Sequence, residues 1–328
     1  MYHAIDMHCD TLMHAFLHGG DQADVYQKPD LNLDVARLIQ GGALAQFFAI
    51  FIVPEGVYHY FGMEPVPVDK YIAGCAQVFE NTLARYPEIT AKALNAADVE
   101  RNHRDGKLSM ILTMEDGVAV NGDMKVLDKF YDMGVRALSL TWNAPNCFGA
   151  PNSRDAAIMQ TGLTPFGKEA VSHMQDIGML VDVSHLSDGG FWDVCELARV
   201  PFVATHSNCR ALCNHPRNMT DDMIKALASK GGVMGLNFGP EFLDDTPDNH
   251  VSAIERMVAM ALHIKKIGGS DTIGIGTDFD GIEGQLEIGS PDKMHLLADA
   301  LACNGFSSDE IDRIFSGNVM RVMKEAMK

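Results

Sequence analysis

The sequence predicts an α/β fold of the (β/α)8 barrel class, a TIM barrel built as one domain over residues 1–328. Three observations carry this reading. Eight short apolar runs recur along the chain, amphipathic helical patterns separate them, and several metal-capable side chains fall where the runs end.

The runs cover residues 4–9, 43–53, 108–114, 135–141, 179–183, 202–205, 232–238 and 273–276. Each is short, continuous and rich in Val, Ile, Leu, Phe or Ala. Strands covered on both faces of a parallel sheet lack polar alternation and read this way. Between them, Pro67–Asp69 opens a helix that runs to about Arg85. Thr164 and Pro165 open another that runs to Gly178, with proline in the first turn, where a missing N–H costs nothing. Thr220 leads a third, closed by Gly231 and Gly232, and Val251–Lys266 forms a fourth, closed by Gly268 and Gly269. Pro291 opens a fifth. Ser307 with Glu310 three residues on predicts a capping box. An open doubly wound sheet alternates in the same manner, but no G-x-G-x-x-G follows the first run. No repeat, low-complexity segment or Pro- or Ser-rich linker divides the chain.

Bulk properties exclude several function classes. A length of 328 residues suits one large barrel. The formal net charge of -18 repels phosphate backbones, and no Lys/Arg run reverses it locally, so nucleic acid is not an expected partner. The most apolar stretch, Ala43–Val53, falls far short of the roughly 20 residues that span a bilayer. The start lacks a basic n-region and an apolar h-region, and the end lacks a hydrophobic tail. A cytoplasmic protein without membrane attachment is expected. Seven cysteines with no paired framework read as reduced thiols.

The chemical residues cluster on this map. His8 and Asp10 end the first run, Glu115 and Asp116 the third, His185 the fifth, His206 the sixth, and Asp278 and Asp280 the eighth. Barrel enzymes build their active sites at the C-terminal strand ends. Residues two apart on a strand share a face, so His8 and Asp10 can reach one ion. Imidazole plus carboxylate suits Zn²⁺, with Mn²⁺, Co²⁺ or Fe²⁺ as substitutes. Three histidines and three or more acids exceed the needs of one tetrahedral ion, and a carboxylate such as Glu115 is placed to bridge two. Asp116 and Asp280 read equally well as supports for the site or as helix caps. The other histidines, His14 and His215 among them, read as surface or packing residues.

These residues lie in stretches that resemble the membrane (renal) dipeptidase family over nearly the full length. The matching segments are Ile5–Thr11, Met114–Gly117, Leu140–Asn143, Gly162–Gly167, Val181–Ser187, His206–Ser207, Pro216–Asn218, Gly276–Gly281 and Gly317–Val322, in the family's order. The resemblance implies two Zn²⁺ per chain, His8 and Asp10 on one, His185 and His206 on the other, and Glu115 bridging both. It implies hydrolysis of dipeptides by hydroxide held between the ions, with tolerance of a D-residue on the carboxyl side. Asp278 matches the aspartate that passes a proton to the leaving amine. Arg217 matches the arginine that receives the substrate carboxylate, and Asn218, Trp142 and Asn143 lie in the substrate-contacting stretches. A homodimer is also implied.

One position departs from the mammalian pattern. Trp142 stands where those members carry a histidine that contacts the transition state. Indole donates one hydrogen bond and carries no positive charge, so oxyanion stabilisation is expected to rest on zinc or on Asn143. The rival readings are an amidohydrolase acting on another amide, a lactone or an amino-heterocycle, and a metal-stabilised binding protein.

Overall fold

The computed structural model describes residues 2–60 and 62–328. Eight parallel strands form a closed ring: β1 (Ile5–Asp6), β2 (Ala45–Phe51), β3 (Leu108–Glu115), β4 (Val135–Ser139), β5 (Leu180–Asp182), β6 (Val203–Ala204), β7 (Val233–Leu236) and β8 (Ile273–Ile275). Neighbours pair in chain order, and the ring closes where Asp6 of β1 lies opposite Ile275 of β8. The longest seam runs from Ala45 opposite Ser109 to Phe51 opposite Glu115. Helices fill the connections and surround the barrel. The fold is the expected (β/α)8 barrel.

Burial explains the apolar runs. Every residue of β2, β3 and β4 is buried, as strands between a packed interior and a helical shell must be. One buried cluster draws on Ile5, Phe47, Ile111, Ala137, Leu180, Val203 and Val233, from seven of the eight strands. Val319, Val322 and Met323 of the final helix (Asn318–Ala326) join it. This packing leaves the opposite, C-terminal end of the barrel for chemistry. Ile111, Thr113 and Glu115 share one face by the period of two, so β3 carries its carboxylate out of the packed interior.

The helix signals hold where their chemistry is local. The Thr164 hydroxyl accepts from Gly167 N at 2.9 Å, Pro165 sits in the first turn, and Gly178 ends the helix Pro165–Ile177 with φ 85°. Ser307 and Glu310 form the capping box. Two expectations need correction. Val251 does not open a helix: Val251–Ser252 pairs in parallel with Gln285–Leu286, and the helix begins at Ile254. That pairing joins segments more than 30 residues apart, which helical periodicity cannot register. The first and sixth strands are two residues each, much shorter than their runs. All seven cysteines are free thiols, five of them buried. Among the described residues no helix is long and apolar enough to cross a membrane.

Candidate active site

Six side chains from five strand ends converge at the C-terminal mouth. Glu115 Oε1 lies 2.8 Å from His185 Nε2 and 3.5 Å from His206 Nε2, and its Oε2 lies 3.4 Å from His8 Nε2. His8 Nε2 is 3.6 Å from Asp10 Oδ2 and 3.8 Å from Asp278 Oδ1. Three sets each place their ligand atoms within 4.8 Å of one another: His8, Asp10 and Glu115; Glu115, His185 and His206; His8, His206 and Asp278. Glu115 turns one oxygen toward each of the first two sets. All six side chains are buried.

The electrostatics are those of a cation site. Burial opposes a charged His8, but Glu115 and Asp10 beside it prevail and hold its pKa well above the ordinary histidine value. Burial raises the pKa of Glu115 and of Asp278, with Asp10 reinforcing and His8 opposing the shift. Burial pushes His185 and His206 well below the usual range, aided by Arg217 and His8, so both rings are neutral, as metal ligands require.

The hydrogen-bond pattern tests whether metal fits. Thr205 spends its hydroxyl proton on Asp182 Oδ2 at 2.6 Å, so it accepts from His206 Nδ1 at 2.8 Å. His206 Nε2 is then a bare lone pair. His185 Nδ1 faces Asn143 Oδ1 at 3.3 Å, which directs its Nε2 toward Glu115 as well. The two Nε2 atoms stand 3.0 Å apart. Lone pairs facing each other and a carboxylate repel unless a cation lies among them. His8 Nε2 and Asp10 Oδ1 are also buried with no hydrogen-bond partner. The donor set fits divalent metal at both groups.

A cavity of about 490 Å³ opens over these residues. Trp142 and Asn143 line it, together with Phe51, Val57, Phe242, Asp30, Glu241 and Glu283. Trp142 sits between Phe51, at 4.9 Å between ring centroids, and His185, at 6.2 Å. Asn143, expected at the substrate, offers its Oδ1 to His185. Arg217 is buried behind the wall and donates to His206 O at 3.0 Å, while its Nε has no partner. Among the described residues no carboxylate lies within ion-pair distance of it. Asn218 does not line the cavity. Its amide donates to Cys213 O and Phe242 O at 2.9 Å, and its Oδ1 faces Asn208 N. Both ends of its amide are taken by protein groups, so the structure does not bring Asn218 to the cavity wall.

The two ambiguous aspartates separate. Asp116 accepts from Val118 N and from Asn146, and so caps the short helix Gly117–Val120. Asp280 lines the cavity and accepts from the Thr11 hydroxyl at 2.5 Å and from Asn32 N at 2.6 Å, which ties the loop around Leu31 to the mouth. Residue-type reasoning missed His14, a cavity residue whose Nε2 lies 2.9 Å from Asp280 O. The available signal was its place one helical turn after Asp10. It also missed Asn237, which donates to Asp278 Oδ2 at 2.8 Å. Asp116, His185, Asp278 and Asp280 all have φ between 63° and 72°. Such strained backbone concentrates at working sites.

Comparison with known proteins identifies the family. The family described as membrane dipeptidase, peptidase family M19, matches residues 2–328. An uncharacterized dipeptidase of Schizosaccharomyces pombe is 29% identical over 302 residues, covering 90% of this chain and 72% of its own length. A dipeptidase of Claviceps purpurea is 27% identical over 296 residues, covering 90% and 69%. Among solved structures, an M19 metallopeptidase described as dipeptidase AC superposes with TM-score 0.88 at 27% identity over 99% of both chains. A Rhodobacter sphaeroides metallopeptidase, liganded with a phosphinate mimic of the dipeptide L-Ala-D-Ala, superposes with TM-score 0.86 at 25% identity, again over 99% of both. The chain belongs to the membrane dipeptidase family, peptidase family M19, and is a metal-dependent hydrolase of that family.

Proposed function

We propose that this chain, as one barrel domain, is a two-zinc dipeptidase that cleaves the peptide bond of small dipeptides, including those with a C-terminal D-residue. The observation that carries the reading is Glu115, whose two oxygens face two separate His-containing ligand sets. In this reading His8 and Asp10 hold one ion, His185 and His206 hold the other, and Glu115 holds both. When bound, the pair of ions supplies an acidified water and Lewis-acid polarisation of the carbonyl.

The remaining work belongs to this chain's own residues. Asn237 pins Asp278 Oδ2 at 2.8 Å, which leaves Oδ1 toward the site. Burial raises the pKa of Asp278, so the carboxyl can take a proton from the attacking water and return it to the leaving amine. Arg217 carries a buried charge without a carboxylate partner, and a substrate carboxylate satisfies it through two parallel hydrogen bonds. Trp142 and Phe51 supply an apolar wall. The D-residue clause is supported by the mimic held by the Rhodobacter sphaeroides protein. A homodimer is part of the proposal on the resemblance alone, and light scattering of the purified chain checks it.

The test pairs zinc content with hydrolysis of a dipeptide panel, before and after chelation. Two ions per chain and cleavage that disappears on chelation are expected. Two ions without cleavage of any dipeptide moves the reaction to another amide, a lactone or an amino-heterocycle. Cleavage that survives full metal removal refutes the proposal.

The Arg217 loop yields a second prediction. Arg210 donates to Asn218 O at 2.8 Å and Pro216 O at 3.1 Å, the carbonyls on either side of Arg217. It is held by a two-pronged bond to Asp188 at 2.7 and 2.8 Å. Arg210→Met is expected to raise KM roughly tenfold or more, about 1.4 kcal/mol of binding, with kcat little changed. Steady-state kinetics on a good dipeptide reads this directly. An equal fall in kcat would place Arg217 in the chemical step instead.

A further inference from the structure

One hydrogen-bond pattern occurs twice around the barrel. At the β1–β8 seam, Asp6 accepts from Thr277 N at 2.9 Å and from the Thr277 hydroxyl at 2.7 Å. At the β5–β6 seam, Asp182 accepts from Thr205 N at 2.9 Å and from the Thr205 hydroxyl at 2.6 Å. Each aspartate also takes the backbone N–H two residues further on, His8 at 3.3 Å and Ser184 at 2.9 Å. All four side chains are buried. Each threonine directly precedes a residue of the site, Asp278 or His206, and each aspartate lies two or three residues before a ligand, His8 or His185.

The two pairs act on different ligands. Thr205 holds His206 Nδ1 and so sets the tautomer that bares Nε2. Asp182, through Ser184, fixes the turn into His185, whose φ is 68°. Ser184 in turn accepts His206 N at 3.1 Å, closing the second unit on itself. On the other seam, Asp6 holds the His8 backbone, and the Thr277 hydroxyl accepts Phe279 N at 3.2 Å, bracing the turn through Asp278 with its φ of 63°. Gly276, just before Thr277, is needed for the close packing of these strand ends: a Cβ there would run into the Thr205 carbonyl.

We infer that Asp6 with Thr277 and Asp182 with Thr205 are two separate positioning latches, one for each metal ion. The inference rests on the two-ion reading above. The first latch orients His8 for one ion, and the second orients His185 and His206 for the other. Neither latch touches Glu115, which the ions share.

The experiment titrates Zn²⁺ into the metal-free full chain against a chromogenic chelator, with activity playing no part in the readout. Wild type should show two binding steps. Thr205→Val should weaken one step by about 10–100-fold and leave the other. Thr277→Val should weaken the other step by a similar factor. The double variant should weaken both, and Thr205→Ser and Thr277→Ser, which keep the hydroxyl, should bind as wild type. If a valine variant does not fold, Thr205→Ala or Thr277→Ala, which add no methyl in place of the hydroxyl, is read in the same way. Wild type binding fewer than two ions overturns the two-ion reading itself. With two steps in wild type, the latch inference is overturned if single variants weaken neither step or both alike, or if the double variant leaves one step intact.

Discussion

On the two-ion reading proposed above, Asp278→Asn is expected to lower kcat by roughly 10²–10⁴-fold while the chain keeps both ions and its KM changes little. The substitution keeps the shape and an oxygen for Asn237 to bond, and removes only the group that can carry a proton. The magnitude follows from the role: one positioned proton carrier contributes that much to a transition state. Metal analysis alongside kinetics makes the result decisive, because Asp278 also shares a 4.8 Å group with His8 and His206. Loss of an ion would make Asp278 a ligand. Full activity with both ions would leave the proton transfer to another group.

Glu115→Gln is expected to cost at least one ion and to reduce kcat/KM by about 10³-fold or more, since metal polarisation supplies several kcal/mol of transition-state stabilisation. Glutamine removes the negative charge that faces both ligand sets, and on the two-ion reading two dications would then share a site with less charge to offset their repulsion. The metal-free protein should respond in the opposite direction. Burial, with His8 opposing and Asp10 reinforcing, raises the native pKa of Glu115 above its unfolded value. A group shifted that way favours the fold below its unfolded pKa and loses that contribution as pH rises through its native pKa. Metal-free Glu115→Gln should therefore match wild type in thermal stability near pH 4 and exceed it near pH 8. Calorimetry of both apo proteins at the two pH values measures this. A less stable variant at pH 8 would mean that the Glu115 carboxylate is well paired without metal. The same residue then illustrates a general tension: a site poised to bind a dication is a site of repulsion without one.

The proposed ligand set was legible because its chemistry is written at strand ends. Glu115 closes a continuous apolar run, and its face follows from the period of two. His8 and Asp10 end the first apolar run, His185, His206 and Asp278 follow short runs that stop abruptly, and the barrel brings them into one cluster. The supports were not legible. Asp6 reaches Thr277 across 271 positions of sequence, and Asp182 reaches Thr205 across the neighbouring seam. Periodicity reports which face a residue occupies on its own element. It holds no information about which donor on another element answers a given acceptor. Asn218 shows the same limit, since residue spacing does not name Asn208, Cys213 and Phe242 as the partners of its amide.

By itself, then, the sequence determined the alternation of buried strands with capped helices and the identity of the metal-capable groups at the strand ends. Both depend on local residue type and spacing. Only the tertiary structure decided that Glu115 faces two ligand sets, that Arg217 is buried without an anionic partner, and that two Asp–Thr pairs brace the mouth. Closure of the barrel sets those distances between residues that are remote in the chain, and hydrogen bonds and charges act only over such short distances in space.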